Sequence, residues 1–93
     1  MAKSRKIYKI KIADDAADFI RGQTKKIQRQ IMNRINFLAE SPETRGEPIR
    51  NSTNTFKIRT GWYRIAYQIQ RNNLIILVVH IGHRKDFYQY YDK

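Results

Sequence analysis

The sequence predicts an α+β fold, an antiparallel β-sheet packed against two N-terminal helices in the order β-α-α-β-β-β. Three observations carry this prediction. Residues 55–81 hold three strand-length runs, residues 24–38 repeat apolar residues at helical spacing, and a polar segment with Gly46 and Pro48 separates the two regions.

Ile7 to Ile12 alternates as a first strand, with Tyr8, Ile10 and Ile12 on one face and Lys9 and Lys11 on the other. Asp14 and Asp15 offer N-capping oxygens and negative charge to a short helix through Ala16, Ala17, Phe19 and Ile20, which stops at Gly22. Thr24 caps a longer helix. Its Ile27, Ile31, Ile35 and Leu38 recur at spacings of four, four and three, so they stack in one buried stripe. Ser41-Pro42 ends it, because proline disfavours helical geometry in the residue before it. Residues 41–54 read as an exposed loop.

Three strands follow, about Thr55 to Thr60, Trp62 to Gln70 and Leu74 to Ile81. In the first, Phe56 and Ile58 point one way while Lys57 and Arg59 point the other. In the second, Tyr63, Ile65, Tyr67 and Ile69 form an apolar face, and Trp62, Arg64, Ala66 and Gln68 share the opposite one. Arg71-Asn72-Asn73 makes a tight hairpin, with asparagine accepting the positive φ such turns require. The last strand is apolar on both faces and belongs inside the sheet. A sheet so built carries its core on one side and a cationic surface on the other.

Ninety-three residues allow one domain, 1–93, with one modest core. Nineteen lysines and arginines against eight acidic residues give a net charge of +11, which points to a polyanionic partner through counterion release. There is no cysteine, so disulfides and thiolate metal sites are excluded. The basic start Met1-Ala2-Lys3-Ser4-Arg5-Lys6 is not followed by an apolar signal region, and the longest apolar run, Leu74 to Val79, is too short to span a bilayer. The expectation is a cytoplasmic protein with no membrane association.

Several segments in this order resemble the RelE/ParE superfamily of toxins from toxin–antitoxin systems. They are the first strand and two helices, Pro48-Ile49-Arg50, Phe56-Lys57-Ile58-Arg59, Gly61-Trp62-Tyr63-Arg64-Ile65, and Ile81-Gly82-His83-Arg84-Lys85-Asp86-Phe87-Tyr88. The resemblance covers nearly the whole chain. It implies either a RelE-like endoribonuclease that cleaves messenger RNA on the ribosome or a ParE-like inhibitor of DNA gyrase; a third reading is a non-catalytic RNA- or ribosome-binding domain. It also implies a cognate acidic antitoxin.

In the RelE reading the 2′-hydroxyl attacks the adjacent phosphate and leaves a 2′,3′-cyclic phosphate, with neither metal nor other cofactor. The resemblance places Arg64 on the catalytic arginine of the middle strand and Arg84 on the arginine after the last strand. Lys57 and Arg59 fall on the two basic positions of the preceding strand, and Tyr88 on the C-terminal tyrosine, with Tyr90 and Tyr91 as alternatives. Arg59 keeps positive charge where the best-known branch carries lysine, and it cannot serve as a base. Retention of Lys57, Arg64, Arg84 and Tyr88 together favours the nuclease over the gyrase inhibitor. Arg50 and Lys85 are assigned to RNA contact. Trp62 and His83 are counted with them as RNA contacts; Trp62 either stacks on a base or covers exposed backbone, and His83 is also the tempting acid or base by its intrinsic pKa. His80, in a strand that reads as buried, is assigned a structural role. Asp14, Asp15 and Asp18 belong to a helix start and not to a metal site.

Overall fold

The first strand and the last form next to each other although most of the chain separates them. In the computed structural model, which describes residues 7–50, 52 and 54–91 with side chains as far as Phe87, β1 (Lys9–Ile12) runs parallel to β5 (Ile75–His83). Between them in sequence come α1 (Asp14–Arg21), α2 (Lys25–Phe37), the short α3 (Pro42–Arg45), β2 (Glu47–Pro48), β3 (Thr55–Thr60) and β4 (Tyr63–Gln70), and α4 (Arg84–Tyr91) follows β5. The sheet order is β1-β5-β4-β3-β2, and every pairing except β1 with β5 is antiparallel. The parallel edge is possible because two helices bridge β1 to the rest of the sheet, a connection a tight hairpin cannot make.

The helical stripe predicted from spacing forms as expected. Ile31, Ile35 and Leu38 are fully buried and Ile27 packs against them. With Ile58, Ile65, Tyr67, Ile69, Ile76, Val78 and Ile81 from the sheet they make the main core. Each such isoleucine contributes about 1.5–3 kcal/mol on burial. Thr24 caps α2 by accepting from the Ile27 amide at 3.3 Å. α1 is capped differently from the prediction: Ala13 occupies the N-cap with no side-chain hydrogen bond. Asp14 and Asp15 instead lie in the first turn, where their charge complements the helix dipole.

Three further differences shape the functional face. The expected loop of 41–54 contains α3 and β2, with Pro42 in the first turn of α3, where its missing N–H costs nothing. The hairpin after β4 has its positive φ at Leu74 (φ 53°) and not at an asparagine. The Leu74 amide closes the turn on the Arg71 carbonyl at 3.3 Å, and its side chain packs on the core, which offsets the backbone strain. Finally, α4 folds back on the sheet face opposite the main core. Phe87, fully buried, forms with Ile49, Ala66 and Val79 a small second core there. The face expected to be a bare cationic surface is therefore partly roofed. Among the described residues no helix is long and apolar enough to cross a membrane.

Candidate active site

Strand register decides which side chains meet. Across β3, β4 and β5, Arg59 lies opposite Arg64 and Arg64 opposite Gly82; one row along, Lys57 lies opposite Ala66 and Ala66 opposite His80. Both rows belong to the face away from the main core. Lys57, Arg59 and Arg64, the three basic strand residues picked from the sequence, are thus brought together.

They line a hollow of about 510 Å³ with Arg34, Arg45, Gly46, Glu47 and the Ile58–Gly61 segment. The hollow exists because β2 is short. It pairs only with Phe56 and Lys57, so among the described residues Ile58 to Thr60 have no strand partner on that side. Gly61, at φ +60°, turns the chain from β3 into β4, and a Cβ there would come within 2.8 Å of the Gln30 amide nitrogen. Gln30 itself donates to the Thr60 hydroxyl at 3.2 Å, tying α2 to the rim.

Arg64, placed by alternation on the cationic face, is nevertheless buried. It is 8% exposed, and its guanidinium donates to the carbonyls of Gly61 and Tyr63 at 3.1 and 3.0 Å. Those bonds hold its planar fork against the β3–β4 turn, so that it enters the hollow already oriented. Arg59 is exposed and Lys57 half-buried.

Arg34, Arg45 and Glu47 were missed by sequence reasoning. Arg34 and Arg45 converge from α2 and α3 on the ring of Phe37, their guanidinium carbons 5.3 and 4.2 Å from its centroid, and Arg45 also donates to the Phe37 carbonyl. Glu47, opposite Lys57 on β2, is the one carboxylate among the residues that line the hollow and can accept a proton there. No local pattern marks these three. Only the return of the 41–54 segment to the sheet brings Arg45 and Glu47 to the hollow.

The remaining candidates whose side chains are described do not line it. Arg84 and Lys85 are exposed at the start of α4, beyond the end of the Arg59–Arg64 row, with the Arg84 amide donating to the Trp62 carbonyl at 2.7 Å. Arg50 is exposed just after Ile49 and does not line the hollow. Tyr88 is on α4, but its side chain, like those of Tyr90 and Tyr91, lies outside the described residues. Trp62 belongs to the turn and not to the strand, is 65% exposed, and stacks on His83 with nearly parallel rings 6.4 Å apart.

The two histidines lie on opposite faces of the sheet. His83 lies opposite Tyr63 and meets its ring edge-on at 5.9 Å, and Tyr63 in turn meets Phe19 of α1. His83 is therefore on the helix side of the sheet. His80, expected to be buried and structural, is half-buried on the face of Arg64, with its ring 6.1 Å from that of Phe87. Among the described residues no three His, Cys, Asp or Glu side chains come close enough to hold a metal ion.

Solved structures that share this architecture include RelE toxins. The chain superposes on RelE in the Mycobacterium tuberculosis RelBE2 toxin–antitoxin complex with a TM-score of 0.76 at 22% identity, covering 84% of this chain and 92% of that one. For the Pyrococcus horikoshii RelE–RelB complex the TM-score is 0.72 at 18% identity, covering 84% and 96%. In sequence, a RelE-like toxin protein of Escherichia coli is 29% identical over 80 residues, 84% of each chain, and toxin RelG of M. tuberculosis is 32% identical over 53 residues, 56% of this chain and 61% of that one. The chain belongs to the family described as ParE toxin of type II toxin–antitoxin system, parDE, whose model matches residues 9–88.

Proposed function

We propose that this toxin, read as one domain over 1–93, is a metal-independent endoribonuclease that cleaves messenger RNA in the cytoplasm, on the ribosome. The observation that supports this reading is the convergence of Lys57, Arg59 and the pre-oriented Arg64 in one hollow with a single carboxylate, Glu47. Cleavage needs the 2′-hydroxyl to attack phosphorus while charge builds on the phosphoryl oxygens. Fixed guanidinium and ammonium groups stabilise that charge in a concave site where water competes poorly. Arg64 contacts a phosphoryl oxygen, Lys57 and Arg59 neutralise the developing charge, and Glu47 accepts the nucleophile's proton. Arg84, Lys85 and Arg50 lie along the approaching strand as phosphate contacts, and Tyr88 supports the base. An acidic antitoxin neutralises the toxin by covering this basic surface.

The test is cleavage of ribosome-programmed message by the purified toxin. We expect products with 2′,3′-cyclic phosphate ends, no loss of rate in EDTA beyond the ribosome's own need for magnesium, and no cleavage at a 2′-deoxy scissile residue. Cleavage of the 2′-deoxy message would refute the mechanism. The family description names ParE, which favours a second reading as a gyrase inhibitor. An intact message together with inhibited gyrase supercoiling would establish that one instead.

A further inference from the structure

Simple alternation along β5 sends Ile76, Val78 and His80 to the same side, and Ile76 and Val78 are fully buried in the main core. The register does not keep that alternation. Tyr67 pairs with Val78 and Ala66 with His80, so Val79 is an extra residue on β5 and the pairing shifts there. A bulge of this kind re-aims the side chains that follow it. Beyond it Ile81 returns to the core opposite Ile65, while His80 faces the other way, level with Ala66 and Lys57.

The ring has been given room on that face. A Cβ built on Gly82 would stand 3.3 Å from His80 Nε2, so the imidazole occupies space above Gly82 that a side chain there would contest. Gly82 is the residue paired with Arg64. The His80 ring therefore leans along its strand from its own row toward the row that holds Arg64 and Arg59, beneath Phe87 of α4.

Given the ribonuclease reading, on which this inference rests, one role is still unfilled. Arginine does not release its proton, and the carboxylate of Glu47 accepts one. The departing 5′-oxygen needs a donor, and histidine is the side chain suited to give a proton near neutral pH. We propose that His80 is the proton donor of the cleavage step. The O2′–phosphorus bond forms as the 2′-hydroxyl loses its proton to Glu47, and the phosphorus–O5′ bond breaks. The imidazolium then passes its proton to O5′; neutral His80 is reprotonated by solvent, and Glu47 releases its proton to solvent.

A scissile linkage with sulfur in place of the bridging 5′-oxygen tests this, because a thiolate leaves without being protonated. On ordinary ribosome-bound message, His80→Gln should lower the single-turnover rate by about 10²- to 10⁴-fold. On the 5′-thio message it should cleave at close to the wild-type rate. His83→Gln should stay within a few-fold of wild type on both. If His80→Gln folds poorly, His80→Asn serves as the second variant and should give the same substrate-dependent loss. A His80→Gln enzyme as fast as wild type on ordinary message, or equally slow on both messages, overturns the assignment while leaving the ribonuclease reading intact. A wild-type protein that cleaves neither message overturns both.

Discussion

Arg64 is both a cation lining the hollow and a brace for the β3–β4 turn, and under the proposed function its substitution should show both. Its guanidinium satisfies the carbonyls of Gly61 and Tyr63 from an 8% exposed position, so Arg64→Ala removes two charge-assisted bonds as well as a cation from the hollow. The expected result is a rate loss of about 10²- to 10³-fold together with about 1–3 kcal/mol of stability. Arg59 is exposed, and Arg59→Ala should slow cleavage with little change in denaturant midpoint. Parallel unfolding curves and single-turnover assays separate the two, and equal stability losses would contradict the structural role given to Arg64. Tyr67 makes a second residue-scale prediction. Its hydroxyl, fully buried, donates to the Pro42 carbonyl at 2.8 Å. Burial first, and the nearby Glu43 carboxylate second, raise its pKa above the ordinary 10.0. Below pH 10 the hydroxyl keeps its proton in both folded and unfolded chains, and its contribution is fully present. As pH rises further the unfolded chain ionises first, and stability falls by about 1.4 kcal/mol per pH unit until the folded group titrates. The advantage of wild type over Tyr67→Phe in unfolding free energy should therefore be constant below pH 10 and shrink above it.

Among the elements, β2 controls the hollow although it is only two residues long. Its shortness leaves the edge of β3 open at Ile58 to Thr60, and Gly46 just before it permits the close approach. A Cβ on Gly46 would collide with the Tyr67 hydroxyl and stand 2.8 Å from the Lys57 carbonyl. Gly46→Ala should thus cost about 1–3 kcal/mol through overpacking and slow cleavage by shifting Lys57. A variant as stable and as active as wild type would show that β2 can move aside freely. On the opposite side of the sheet α2 buries its apolar stripe in the core and carries Arg34 and Gln30 at the rim of the hollow. Ile35→Ala should lose about 2–5 kcal/mol, and a denaturant midpoint near that of wild type would count against its place in the core. α4 combines opposing tendencies: Arg84 and Lys85 begin it, where the helix dipole disfavours cations, while the burial of Phe87 holds it to the sheet.

For the molecule as a whole the dominant quantity is its net charge of +11. A charge of this size favours long-range attraction of an anionic partner to the surface. Association with an acidic antitoxin should slow markedly between low and physiological ionic strength, read by stopped-flow mixing. An association rate indifferent to salt would mean that contacts other than charge bring the pair together.

The periodicities that depend on nearest neighbours alone were legible from the residues. The Ile31–Ile35–Leu38 stripe, the alternation that puts Lys57, Arg59 and Arg64 on one face, and the interior place of β5 are consequences of helix and strand geometry. What the residues could not reveal depends on pairing between distant segments. The bulge at Val79 is a mismatch between two strands, and it alone turns His80 toward Arg64. The sequence reads His80 as structural in a strand apolar on both faces and places His83 beyond that strand, whereas the bulge sets the two rings on opposite faces of the sheet. The burial of Arg64 against the β3–β4 turn and the arrival of Arg34, Arg45 and Glu47 at the hollow likewise follow from folding across the sheet edge. Local sterics set which face each residue of a regular strand takes, but strand register and the return of α3 and α4 are set by the packing of the complete core.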